Sequence, residues 1–233
     1  MIFSRYLKSL LGKDYLRRDL LKHTHSEVMN KYLSCPFPDK NILIRDAEIV
    51  SLDIETTGLD SETDQIISIG IVTISSLGIK LDTCWHQLIQ TAKNIPEHSV
   101  VIHNITDDQL VSGIRIEEAI PLLLDKLQGK VVLVHNVNIE QSFINQICMQ
   151  LYNTGFVMPV IDTQRLAKRR LDRQGIPYKS KDLRLFNLRK KLNMPVYKAH
   201  NALLDAIATA ELFLAILNDV SPKNNARLKE FLS

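Results

Sequence analysis

The chain has 233 residues, 45% hydrophobic and 24% charged, the balance of an ordinary folded protein. The uncharged run between Asp64 and Lys80 is too short and too polar for a membrane span, and the charged N-terminus lacks the cleavage pattern of a secretory signal. Net charge is +3, but residues 47–164 carry 15 acidic against 5 basic side chains, and residues 165–198 carry 12 basic against 2 acidic. Such a split fits a cation-binding acidic site beside a surface for a polyanion; solvated helix faces would produce it too. Cys35, Cys84 and Cys148 are far apart with no CxxC, which predicts a reducing cytoplasm and neither a disulfide framework nor a structural zinc site.

Residues 3–33 read as helical. Phe3, Leu7, Leu10 and Leu11 fall at helical spacing, and Leu16 and Leu20 continue in a second phase after Gly12. The prolines of "CPFPDKN" end that pattern, so residues 1–45 are taken as an N-terminal helical extension. Three strand-like runs follow, at 47–55, 65–74 and 79–89, joined by turn-rich segments, and predict an antiparallel meander. "IRIEEAIPLLLDKLQ" reads as a helix, "KVVLVHN" as a short strand, "IEQSFINQICMQLY" as a helix and "MPVIDT" as a strand. In the basic region, Leu185, Leu188 and Leu192 form a helical core stripe. "AHNALLDAIATAELFLAIL" is the strongest helix, with Ala202, Ala206 and Ala210 allowing close approach. Strands first, then strands alternating with helices, predict an α/β domain with a mixed sheet over residues 46–218, and residues 219–233 form a short C-terminal tail.

Three features carry chemistry. In "VSLDIETTGLD", Asp53 and Glu55 are two residues apart on a strand, so they share a face about 6–7 Å apart. Two carboxylates on a buried face need neutralising, and a pair of divalent cations about 3.5–4 Å apart would do it. A solvated edge strand is the alternative. In "AHNALLDA", His200 and Asp205 would lie about 140° apart on one helix, so they converge only if His200 precedes a helix capped by Asn201. An imidazole there could take a proton from water. Capping and helix-dipole complementation would use the same residues. In "VVLVHNVNIEQSFI", a strand runs into His135 and Asn136, and Glu140 opens the next helix; on this motif by itself a surface glutamate is the simpler reading.

Taken in order, Asp-x-Glu-Thr-Thr-Gly, His-Asn-x-x-x-Glu and His-x4-Asp resemble the DEDDh family of 3′–5′ exonucleases, the DnaQ-like group. "LDIETTGLD" is similar to its first motif and "HNALLDA" to its third. "IPEHSVVIHNITDDQL" and "VIDT" resemble intervening segments. One departure stands out: the second motif usually ends in Asp, and here it ends in Glu140. The resemblance implies a ribonuclease H-like mixed five-stranded sheet flanked by helices. It also implies two divalent cations, Mg²⁺ or Mn²⁺, held by Asp53, Glu55, Glu140 and Asp205, with His200 as general base. Thr56, Thr57, Gly58 and Leu59 would line the terminal-nucleotide pocket, with His103 and Asn136 nearby. The basic stretch from Arg165 to Lys191 would face phosphates, with Tyr178 and Phe186 able to stack bases. The expected activity is release of nucleoside 5′-monophosphates from a 3′ end of nucleic acid, single-stranded DNA foremost. A weak or inactive relative that binds nucleic acid as an accessory subunit is the alternative. The N-terminal helix could make a homodimer or dock onto a larger replication or repair machine, and no membrane is involved.

Overall fold

The computed structural model describes residues 12–91, 105, 107–223 and 225–233. His103 and the apolar positions Phe3, Leu7, Leu10 and Leu11 lie outside them. Two helices open the described chain, α1 (Lys13–His23) and α2 (Glu27–Ser34). The single helical run predicted for 3–33 is broken at Thr24, whose backbone is extended, and α2 restarts at Ser26, whose hydroxyl accepts from Met29 N at 3.3 Å. Then come β1 (Ile49–Thr56), β2 (Ile66–Ser75) and β3 (Gly78–Leu88), as predicted. The helices α3 (Asp107–Val111) and α4 (Ile116–Leu127) lead to β4 (Val131–Val134) and α5 (Val137–Tyr152). After them come β5 (Val160–Asp162), α6 (Thr163–Gln174), α7 (Leu185–Lys191) and α8 (Ala202–Val220). The strands make one five-stranded sheet in the order β3-β2-β1-β4-β5. The first three are antiparallel, and β4 and β5 run parallel to β1. This is the mixed ribonuclease H-like sheet the sequence predicts.

Alternation along β1 divides the core. Val50, Leu52 and Ile54 point to one face, where they pack with α2, α4 and α5 through Met29, Leu33, Leu123 and Phe143. Ile49 joins the opposite face, with Val131, Leu133, Ala208 and Phe213 under α8. On that second face the Ser51 hydroxyl donates to the Ala206 carbonyl at 2.7 Å, fastening α8 to the central strand. Segments on both sides of the sheet in sequence share these cores. Tyr32 of α2 donates to the Val157 carbonyl at 2.9 Å and stacks on Phe156. Beyond α8, Leu232 bridges to Ile161 on the outer strand and Phe231 packs edge-to-face on Phe213. That backbone partner covers part of an otherwise open sheet edge. Among the described residues, no helix is long and apolar enough to cross a membrane.

Two expectations for the basic region need correction. Leu185 and Leu188 are buried, but Leu192 is 40% exposed because α7 has already ended there. The region is also not a uniform cationic surface. Arg189 is 1% exposed, and Lys168, Arg170 and Lys191 face the carboxylates of Asp172, Asp219 and Asp182. Tyr178 is held by Asp172 under the Lys168 ammonium, and Phe186 packs on the core.

Candidate active site

The carboxylates gather where the parallel strands end. β1 is the middle strand, which removes the edge-strand reading of Asp53 and Glu55. Both project from the α8 face near its C-terminal end. A register shift between Glu55 and Thr56 bends the strand there, as bulges beside functional sites commonly do. Glu55 is buried, while Asp53 keeps some solvent contact.

The loop after β1 is tied down by its own polar groups. Thr57 N donates to the Gln65 carbonyl at 2.9 Å, the Thr57 hydroxyl donates to Asp64 at 3.1 Å, and Asp60 N donates to the same carboxylate at 3.0 Å. The Thr56 hydroxyl donates to the Gly58 carbonyl at 2.6 Å. Asp64 lies so close over Gly58 that any Cβ there would overlap its carboxylate. Leu59 projects from this loop, 80% exposed.

Glu140 arrives from the next parallel strand. β4 ends at Val134, and Asn136 turns the chain in a left-handed conformation, φ 80°, which Asn tolerates better than most residues. Glu140 then sits in the first turn of α5, where the helix dipole favours a carboxylate. It is 3% exposed. Asp162, at the end of β5, receives both the Asn136 and Val137 amides and so fixes this turn.

His200 and Asp205 are placed as the spacing requires. Asn201 caps α8, its side chain accepting from Leu204 N at 3.0 Å, and Asp205 is buried in the first turn. His200 precedes the helix, exposed, with φ 64°, and its backbone N–H donates to Asp205 at 3.1 Å. A left-handed residue other than glycine stores strain.

Glu55, His200 and Asp205 each bring a potential ligand atom within 4.8 Å of the other two. Asp53 belongs to the same cluster. Burial, then the negative charges of Glu55, Glu140 and Asp205, hold its carboxyl well above the usual carboxylate range. Glu140 is likewise held up, chiefly by burial and also by Asp162 and Glu55. One Glu140 oxygen, Oε2, is buried with no hydrogen-bond partner among the described residues. Four crowded carboxylates and an unsatisfied buried oxygen form a hard-oxygen donor set that fits divalent cations.

Motif spacing did not single out several neighbours. Gly70 lies opposite Asp53 in β2. His86, opposite Gly70 in β3, is exposed, with Nε2 2.8 Å from the Ser68 hydroxyl, and Ser68 is opposite Glu55. Partial desolvation lowers the His86 pKa, against the pull of Glu55. The strand alternation that put Asp53 and Glu55 on one face would have placed these residues there, given the pairing register. His135 lies outside the carboxylate cluster. Its Nε2 donates to the Leu183 carbonyl at 3.0 Å, and its Nδ1 is 2.7 Å from the Thr163 hydroxyl.

Residues 50–213 match the family model described as an exonuclease. The PolC-type DNA polymerase III of Thermotoga maritima is 33% identical over 185 residues, which is 79% of this chain but 13% of that protein. The DNA polymerase III subunit epsilon of Treponema pallidum is 32% identical over 174 residues, covering 75% of this chain and 78% of that one. The nuclease domain of 3′hExo, a DEDDh family member bound to rAMP, superposes with a TM-score of 0.64 at 18% identity, over 76% of this chain and 94% of that one. Exonuclease X in complex with 5′-overhanging duplex DNA gives 0.60 at 22% identity, over 78% and 98%. At such identities the two structures establish the shared fold, while the family match rests on the sequence itself. Since that match spans most of the chain and rests on the sequence itself, the chain belongs to this exonuclease family, and it is similar to the DNA polymerase III subunit epsilon over three quarters of its length.

Proposed function

We propose that this chain removes nucleoside 5′-monophosphates from the 3′ end of nucleic acid, single-stranded DNA foremost, by metal-dependent hydrolysis. The observation that supports it most directly is the convergence of Asp53, Glu55, Glu140 and Asp205 at the ends of β1, α5 and α8, with His200 beside them. These four carboxylates would hold two divalent cations, Mg²⁺ or Mn²⁺. Bound there, the cations would supply charge stabilisation to the attacking and leaving oxygens of an in-line displacement. His200 is exposed on the solvent side of the carboxylates, where its imidazole would take the proton from the attacking water. Thr56, Thr57 and Gly58 form a rigid wall next to Asp53 and Glu55 for the terminal nucleotide. Leu59 presents an apolar surface on which a base could rest. Asn136 and His103 would complete the substrate contacts. The strand and helix positions keep the ligands preorganised, which the chemistry requires and fold stability does not.

Matched 5′-labelled single-stranded DNA and RNA, incubated with Mg²⁺, Mn²⁺ or chelator beside Asp53→Ala, test this reading. A ladder shortening from the 3′ end, lost with chelator and with the substitution, is the expected result. Intact substrate that both proteins still shift in a gel would overturn it in favour of a binding role. The relatives named as polymerase III components make a replication or repair assembly the context we propose, with residues 1–45 as a docking or dimerising element. Deleting residues 1–11 and measuring mass and activity tests that element without removing the core residues of α2. A cytoplasmic location follows from the same context.

A further inference from the structure

Between α7 and α8 the segment 192–201 must carry His200 to the carboxylates, yet it has no regular secondary structure of its own beyond the end of α7. A buried cluster secures it. The Arg189 guanidinium is enclosed, donating from Nη1 to the Ala208 carbonyl at 2.8 Å and from Nη2 to the Pro195 carbonyl at 2.9 Å. It stacks 4.7 Å over the Tyr197 ring and lies 2.8 Å from Glu211 of α8. The Tyr197 hydroxyl donates to the other Glu211 oxygen at 2.8 Å. Met194 N closes the end of α7 on the Arg189 carbonyl at 3.1 Å. One guanidinium thus touches the segment at Pro195 and Tyr197 and anchors both to α8.

A planar fork with a fixed donor geometry suits this role better than a flexible ammonium. A segment that only linked two helices would need no buried cation. Only Lys198 and Ala199 separate Tyr197 from His200, so fixing Tyr197 restricts where His200 can go. Its left-handed backbone and its amide bond to Asp205 restrain it from the other side.

We infer that Arg189, Tyr197 and Glu211 are positioning residues for His200: they seat the segment so that the imidazole is presented to the reaction centre. None of them touches substrate or metal. The inference rests on the activity proposed above. Loss of the cluster therefore lowers turnover and leaves substrate affinity and metal affinity in place.

Arg189→Lys is the direct variant, but it removes a buried fork and endangers the fold. Tyr197→Phe keeps the ring and deletes only the hydroxyl that reaches Glu211. Tyr197→Phe should lower kcat about 5- to 20-fold, with KM and Mn²⁺ affinity within twofold. Introduced into His200→Ala, it should change kcat less than twofold, since effects that act through one residue do not add. Exchange of the His200 amide, followed by NMR, should quicken at least fivefold while amides in the middle of α8 hold. Equal losses in both backgrounds, a rise in KM alone, or an unaltered His200 amide would each overturn the inference. If the wild-type chain cuts no substrate, the proposed function fails, and the His200 amide still decides whether this cluster seats the segment.

Discussion

Gly70 of β2 lies directly under Ala202, the first residue of α8: a Cβ at position 70 would overlap the Ala202 carbonyl and the Leu203 nitrogen. Gly70 also faces Asp53 across the β1–β2 pair. Its missing side chain therefore lets the helix bring Asp205 down beside the strand that carries Asp53. Gly70→Ala should push the first turn of α8 away from the sheet. Overpacking of this kind costs about 1–3 kcal/mol, but the larger effect should be on activity, at least about 100-fold, because ligand positions tolerate little displacement. Gly78→Ala, whose nearest neighbour is 3.6 Å away, serves as the comparison. Urea unfolding alongside exonuclease rates checks this; equal, small effects at both positions would count against the close-approach role.

Asp53 and Glu140 are both held above the usual carboxylate range by burial and by each other's neighbours. A raised folded pKa means the unfolded chain ionises first, so these groups withdraw stability as pH rises from about 4 toward their folded values. At pH 7.5, chelated wild-type protein should melt below Asp53→Asn and Glu140→Gln by a few degrees, reflecting about 1–2 kcal/mol of relieved charge crowding. Millimolar Mn²⁺ should reverse the order by stabilising wild type alone. Melting curves with chelator and with Mn²⁺ decide it. A wild-type curve indifferent to Mn²⁺ would argue against the cation site.

Much of this was readable from residue spacing. Asp53 and Glu55 share a face because strand period dictates it, and Asn201 had to cap α8 if His200 and Asp205 were to meet. What spacing could not supply was position in the sheet. Only the strand order makes β1 central and turns a pair of carboxylates from a possible solvated edge into a crowded pair on the middle strand, with Glu55 buried. The basic region misled for a related reason. Composition counts Arg189 as a surface cation, whereas its guanidinium finds one carbonyl in the loop after α7 and a carbonyl and a carboxylate on α8, a helix that spacing alone does not bring to it. Likewise, nothing local in "DYLRRDLLKHTHSEV" separates one long helix from two. The break at Thr24 is supported by its hydroxyl contact with Thr154, at the far end of α5.

His135 offers a test in the opposite pH direction. Burial lowers its pKa to about 4, with Asp162 and the Leu183 carbonyl acting against that shift. The ordinary value is 6.5. The unfolded chain therefore takes up this proton first, and stability falls as pH drops from about 6.5 to about 4, by no more than about 3 kcal/mol in total. Below that range the native imidazole also protonates and the loss stops growing. His135→Gln should flatten the stability profile across this window, while leaving the window above pH 7 with the same slope. Urea midpoints measured at half-unit steps for both proteins check it. Parallel profiles between pH 6.5 and 4 would show that His135 is not buried as a neutral ring.

Asp162 couples the two helix starts that frame the second motif. Its carboxylate is 1% exposed and accepts four backbone amides: Asn136 at 3.3 Å and Val137 at 3.1 Å at the start of α5, Gln164 at 2.9 Å and Arg165 at 3.2 Å at the start of α6. A single cap is worth about 1 kcal/mol and up to about 2, so Asp162→Ala, which strips two helices at once, should cost about 2–4 kcal/mol. The loss should extend beyond stability. Freed from Asp162, the left-handed turn at Asn136 no longer fixes the entry of α5, and Glu140 is carried in the first turn of that helix. Mn²⁺ affinity should therefore weaken about 10-fold or more in Asp162→Ala, as it does when residues that orient ligands are removed. Asp162→Asn keeps one acceptor oxygen and should fall between. If Asp162→Ala lost the stability but bound Mn²⁺ normally, the turn would be held by the sheet and α5 alone, and Glu140 would not depend on this cap.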